Sequence, residues 1–449
     1  MNILYLKPEE QIIHEIAQSR QEGKLVTEIE REWNSLVSKD LATVELRSAA
    51  ERLLKQLEDL QADSLLLAAE PSDLQTIRVR SGAEQLKDLR RPVSEGMLLE
   101  KIHGGWLGRA AGCLLGKPVE KIGRTGIREL LASNHHWPLS EYFTAVGVSD
   151  ELKTKYPWNR HGGPESLKEN ITCMPEDDDM NYPIVNLIIS EKFGPAFGPE
   201  DVAEVWLRAL PVMSTFTAER VAYSNSLRSI PISECATTGN PYREWIGAQI
   251  RADMWGWVAS GNPYLASEYA WRDASLSHTR NGIYGEMFFA AAIAEAAVTE
   301  DIEHVLMSAL KVVPEESRFA KAIMTAMAIA RENRDWETIV DRLYEEFGTL
   351  HWVHTINNAA LVTAALVHGN GDFEGTICLA VMGGWDADCN GATAGSILGT
   401  MKGKGRLPAK WIGPLNNCLR SSVMGFDNSA FDQLAGRTSA LHKKFSTHQ

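Results

Sequence analysis

The chain has 449 residues, 44% hydrophobic and 23% charged, with a formal net charge of −14 at pH 7. That length buries a sizeable core and suits two or three domains, while the acidic balance excludes a broad nucleic-acid-binding surface. No apolar run approaches the ~20 residues of a membrane helix. The opening MNILYLKPEEQ has too few apolar residues for a signal-peptide core, and six scattered cysteines without a CxxC point to reduced thiols. A soluble cytoplasmic protein without membrane partners is expected.

Helical spacing dominates from the start. Pro8 before EEQIIHEIAQ suits a helix amino terminus. Over Glu28–Leu67, Ile29, Trp33, Leu36, Val44, Leu53, Leu57 and Leu60 recur among charges with a period of roughly 3.6 residues. Residues 1–93 are therefore expected to form a helical amino-terminal module. Its apolar stripes serve either homo-oligomerisation or packing on the main body, since a stripe says only that something covers it. A boundary is placed in RRPVSEGM (Arg90–Met97), and residues 94–449 form the second unit. That unit is rich in Ala and Gly, with helix-length runs such as GEMFFAAAIAEAAV (Gly285–Val298) and NNAALVTAALVHG (Asn357–Gly369). Alternating strand patterns are scarce. The fold class is all-α, a compact helical bundle preceded by a smaller helical module.

Three stretches carry chemistry. In HGGWLGRAAGCLLGKPVE (His103–Glu120), glycines 104, 108, 112 and 116 fall four apart on one helical face. Each costs ~1 kcal/mol in a helix, so the stripe implies close backbone approach. Glu120 lies just beyond that helix, where packing needs no acid. In MPEDDDMNYPIV (Met174–Val185), Glu176, Asp177, Asp178 and Asp179 are consecutive between Pro175 and Pro183. Adjacent residues on a helix point roughly 100° apart, so these acids converge only at a turn, with a helix expected to run on through Ile184 and Val185. Such a cluster is either a solvated turn or a cation site. In VMGGWDADCNGATAGSILG (Val381–Gly399), Asp386 and Asp388 project to the same side of a glycine-rich turn, with Gly383 and Gly384 permitting close ligand approach. Two oxygen-rich turns, each opening an apolar helix, suit one or two hard cations such as Mg2+. His103, His278 and His354 read as structural.

Together these stretches resemble the ADP-ribosylglycohydrolase family, whose patterns GxxxGxAxGDxLGxPxE, TDDT and GGDxDTN stand here in the same order as GGWLGRAAGCLLGKPVE, EDDD and GGWDADCNG. Ile246–Thr279 resembles a further family segment, and the likeness runs from about Met97 to the carboxyl end. It implies an all-α bundle with a binuclear Mg2+ site, with Mn2+ possible. Asp177 and Asp178 match the two central aspartates, Asp386 and Asp388 the distal pair, and Glu120 the acid near the substrate. Glu176 and Asp179 take the places of two threonines, so the implied metal ligands are Glu176, Asp177, Asp178, Asp179, Asp386 and Asp388. Cys389 replaces a threonine and Cys113 an aspartate. The implied reaction is hydrolysis at ribose C1 of an ADP-ribosyl or related ribosyl substrate, small or protein-linked. Asp386, Asp388 and Glu120 are the expected catalytic residues; Glu120, Trp385, Gly383, Gly384 and Arg251 are the expected substrate contacts. Arg272 and Arg280 share with Arg251 the candidacy for a diphosphate. Alternatives are a nucleoside-type riboside substrate, a crystallin-like protein that keeps the fold without catalysis, or a partner-binding protein.

Overall fold

Residues 6–39 and 41–446 are described by the computed structural model, and within them every regular element is helical. Pairing of β type is confined there to isolated bridges. The helices include α1 (Pro8–Gln21), α2 (Thr27–Val37), α3 (Thr43–Asp59), α4 (Glu95–Gly116), α5 (Asp178–Phe193), α6 (Arg280–Ala296), α7 (Thr355–Gly369) and α8 (Ala387–Lys402), of which α4, α5, α7 and α8 frame the site.

Pro8, Glu9 and Glu10 occupy the first turn of α1, where a missing N–H costs nothing and acids meet the positive end of the helix dipole. Helices α1 to α3 close over a small core that includes Ile12, Ile16, Trp33, Leu53 and Leu57. The much larger core extends from Ile77 to Phe445, so Ile77, Ala83 and Leu86 pack with the main body although they precede residue 94.

The amino-terminal helices meet that body through buried ions as well as through ring packing of His14. Arg243 pairs with Glu15 at 2.7 Å and Glu22 at 2.6 Å, and Arg280 reaches Glu22 at 2.6 Å. Arg318 pairs with Glu70 at 2.7 Å and with the fully buried Glu244 at 3.1 Å. Gln18 adds a hydrogen bond to Glu244 at 2.7 Å. Buried ions are tolerable only when each has its partner, and deleting one leaves the rest uncompensated. Arg243→Ala is therefore expected to lower unfolding free energy by roughly 3–5 kcal/mol, read by urea denaturation at pH 7. A loss below about 1 kcal/mol, the range of exposed pairs, would show the network to be dispensable.

Helices α4 and α8 run antiparallel in backbone contact. A methyl group added at Gly104, Gly108, Gly112 or Gly116 would strike the carbonyl of Gly399, Gly395, Gly391 or Ala387 respectively. This register brings the carboxyl end of α4 beside the amino end of α8, and so brings Lys117–Glu120 beside Asp386–Asp388.

Helix α5 begins earlier than the proline spacing predicts. It starts at Asp178, with Asp177 as its amino-terminal cap, and Pro183 lies inside it. A proline in this position leaves the carbonyl four residues back without its N–H. That carbonyl, of Asp179, instead accepts from Arg109 Nε at 2.7 Å. The helix tolerates Pro183 because a buried arginine supplies the missing donor.

Candidate active site

The two acidic turns meet. Atoms of Cys113, Asp177 and Asp179 lie within 4.8 Å of one another, as do those of Asp179, Asp388 and Cys389, and those of Glu120, Asp386 and Asp388. Glu120, Glu176, Asp177, Asp178, Asp386 and Asp388 all line one cavity of about 430 Å³.

Each acid is held by its own local geometry. Asp177 Oδ1 accepts the Asp179 backbone N–H at 2.9 Å, and its Oδ2 accepts from Lys117 Nζ. Glu176 Oε1 accepts from Asn181 and Ser422, both at 2.8 Å. The backbone N–H of Asp386 donates to Asn358 Oδ1 at 3.1 Å, which ties the turn before α8 to α7. Glu120 accepts from Asn159 at 2.5 Å and faces Lys121 at 3.1 Å. Asp179 is fully buried, pairs with Arg109 at 2.8 Å through Oδ1, and leaves Oδ2 without a hydrogen-bond partner.

Crowding and burial raise the affinity of these acids for protons. Burial, then Glu120, push Asp386 up to about 7, and burial pushes Asp179 up to about 8 against the pull of Arg109. Burial raises Asp178 strongly, with Asp177 and Asp179 adding to it; Asp388 rises for the same reason, with Glu120 and Asp386 as its nearest charges. Burial pulls the Lys117 ammonium down, but Asp177 outweighs it and the net shift is upward. An acid whose pKa is higher in the folded chain than the usual 3.8 contributes its full stability below about pH 4 and loses it as pH rises through the folded value. Asp386→Asn is therefore expected to gain stability over the metal-free wild type progressively from about pH 4 to about pH 7, by roughly 2–4 kcal/mol at the upper end. Denaturant melts in EDTA across that range check it; a difference independent of pH would contradict it.

The cavity wall is aromatic. Trp245 stacks on His351 at 4.2 Å between ring centroids, and both face the cavity with Phe216 and Trp352. His14 of α1 packs edge-on against both rings, at 5.1 and 5.3 Å. Two backbone hydrogen bonds, Ile246 N–H to Val353 O at 2.9 Å and Thr355 N–H to Glu244 O at 3.1 Å, hold the segments carrying this pair together.

Several residues read from the sequence as substrate contacts sit elsewhere. Arg251 is fully buried and pairs with Glu219 at 2.9 Å, Asp273 at 3.2 Å and Glu286 at 3.5 Å, behind the cavity rather than in its lining. Arg280 belongs to the ion network under α1, and Arg272 pairs with Glu268. Trp385, in a left-handed conformation at φ 52°, stacks on Tyr344 at 4.3 Å. Gly383 abuts Leu361, and its carbonyl accepts from Tyr344 Oη at 3.1 Å. Neither glycine 383 nor 384 lines the cavity, and Trp385 does not either. The turn before α8 thus points its aspartates inward and its aromatic ring away. Conversely, Trp245, His351, Trp352, Asn159 and Lys117 do line the cavity. Lys117 lies inside a motif already singled out, three residues before Glu120; no spacing signal marks the others.

The sequence model of the ADP-ribosylglycohydrolase family matches residues 94–448. The chain belongs to the ADP-ribosylglycohydrolase family, and the all-α fold expected from the resemblance is the one observed. It is similar to a chain of a solved "ADP-ribosylglycohydrolase-related protein complex", with 21% identity, a TM-score of 0.49, and coverage of 78% of this chain and 100% of that chain. No curated protein matches. No helix among the described residues is long and apolar enough to cross a membrane.

Proposed function

We propose that the protein is a divalent-metal-dependent hydrolase that cleaves the N- or O-glycosidic bond at ribose C1 of an ADP-ribosyl substrate. One observation carries this reading: Asp386 and Asp388 converge with Glu120 and with the Glu176–Asp178 turn on a single aromatic-walled cavity. Carboxylates this crowded repel one another, and the partnerless Oδ2 of the buried Asp179 adds an uncompensated acceptor. A cation relieves the repulsion. The donors are almost all oxygen, so Mg2+ fits best, with Mn2+ the next choice. Glu176, Asp178, Asp386 and Asp388 would hold it; Asp177 and Asp179 back them. A bound divalent ion supplies orientation of vicinal ribose hydroxyls and a lowered pKa for the attacking water.

The chain's own residues do the rest. Asp386 or Asp388 accepts the proton of the attacking water, as a carboxylate within hydrogen-bond reach of it can. Glu120, aimed by Asn159 and Lys121, binds a sugar hydroxyl or assists the leaving group as positive charge builds at the anomeric carbon. Trp245 and Phe216 wall the cavity beside these acids. A second cavity of about 440 Å³ shares Glu120, Lys121, Asn159 and His161 with the first and is also lined by Lys155, Arg160, Tyr156 and Trp158. Cations beside flat rings suit a diphosphate followed by a stacked base, which favours ADP-ribosyl substrates over nucleosides.

The test is a hydrolysis screen over ADP-ribosylated peptides, ADP-ribose conjugates and nucleosides, with Mg2+ or EDTA, repeated with Asp386→Ala. The expected result is cleavage of ADP-ribosyl compounds that requires Mg2+ and disappears in the variant. Activity that survives Asp386→Ala would overturn the reading, and cleavage restricted to nucleosides would remove the diphosphate part of it.

A further inference from the structure

The acidic centre contains a cation of its own. Lys117 opens the short turn Lys117–Val119 directly after α4, and its side chain is only 3% exposed. Its Nζ donates to Asp177 Oδ2, while Asp177 Oδ1 is already taken by the Asp179 backbone N–H at 2.9 Å. Both oxygens of Asp177 are thus engaged within the chain. The opposite side of the centre differs. There Glu120, Asp386 and Asp388 bring oxygen atoms within 4.8 Å of one another; Lys121 pairs with Glu120 at 3.1 Å, and among the described residues no lysine or arginine pairs with either aspartate. The centre is electrostatically lopsided: a buried ammonium is fixed on Asp177, whereas on the other side the half-exposed Lys121 pairs with Glu120 and leaves Asp386 and Asp388 without an ion-pair partner among the described residues.

We propose that the Lys117 ammonium takes the place of one of two divalent cations, so that the chain binds a single divalent ion on the Asp386–Asp388 side. The inference rests on the metal-dependent reading above. A second divalent ion at Asp177 would have to sit against an ammonium in a water-poor site, where like charges repel far more than in water. Alternatively it would have to expel Lys117 from Asp177 and leave a buried ammonium without its partner, which is the costly way to break a buried pair. One ion beside Asp386 and Asp388 meets only Lys121, which is half exposed and paired with Glu120, so water screens the repulsion. Lys117 is then a positioning residue: it neutralises Asp177 and holds it as the cap of α5, while the single ion binds beside Asp386 and Asp388.

Metal stoichiometry of the full chain tests this without reference to activity. The protein is titrated with Mn2+, desalted, analysed for bound metal, and its bound ions are read by electron paramagnetic resonance. One Mn2+ per chain with a six-line spectrum free of exchange coupling is the expected result. Two ions with an exchange-coupled spectrum would overturn the proposal while leaving the metal-dependent reading intact. A folded chain that binds no Mn2+ would overturn that reading itself. Lys117→Met is expected to take up a second ion; a folded Lys117→Met protein that still binds one would also overturn the proposal. Should that variant not fold, Lys117→Arg, which keeps the charge, must retain one ion, and two in its place would count against the role of the charge.

Discussion

Asp388→Asn is expected to lower kcat/KM by on the order of 10³-fold, the range seen when a general base is removed, and at the same time to stabilise the metal-free protein. The two effects share one cause. Asp388 is buried on α8 within reach of Glu120 and Asp386, and burial together with these neighbours raises its pKa strongly. A charged carboxylate kept there costs stability, and an amide of the same shape removes the charge without opening a cavity. Natural sites tolerate such costs where function needs the charge. Steady-state hydrolysis with saturating Mg2+ and thermal melts in EDTA read the two arms separately. Unchanged activity, or a metal-free melting temperature below that of the wild type, would show that Asp388 is not held under electrostatic stress for the reaction.

Gly112→Val is expected to cost more than about 4 kcal/mol of unfolding free energy, in the class of severe overpacking, or to leave no soluble protein. At Gly112 the new atoms would meet the backbone of Gly391 and the amide of Ala392, not the tip of a flexible side chain. Main chain cannot step aside within a helix, so α4 and α8 would have to separate along their shared seam. That separation would also pull Glu120 from Asp386 and Asp388, so any folded remnant should bind metal and substrate poorly. Gly96 provides the control. It lies in the first turn of the same helix with nothing near its missing side chain, and Gly96→Ala should change stability by no more than the ~1 kcal/mol gain of helix propensity. Denaturant unfolding of both variants decides the matter; a Gly112→Val protein as stable as Gly96→Ala would sink the argument.

The glycine seam was legible before any coordinates because its cause is local. Glycines four apart fall on one helical face whatever surrounds the helix, and only close backbone approach justifies their number. The acidic turns were legible for the same reason, as carboxylates cannot be stacked into an apolar segment without some compensation. The start of α5 was misread because Pro183 breaks a helix only if nothing replaces its missing N–H. The replacement, Arg109, comes from 74 positions earlier in the chain.

What the sequence by itself determined is the all-helical character, the membership of the two aspartate turns and Glu120 in a common set, and the backbone contact that glycines 104 to 116 demand. The helical character and the glycine contact depend on residue type and spacing within single elements; the grouping of Glu120 with the two turns is what the family resemblance implies. Tertiary structure alone decided which charges meet. It turned Arg251 into a buried partner of three acids, swung Trp385 onto Tyr344, supplied Trp245 and His351 as the cavity wall, and set the Lys117 ammonium on Asp177. The reason is physical: the strength and even the sign of an electrostatic contribution depend on distance and on the exclusion of water, and both are created only when segments far apart in the chain close on one another.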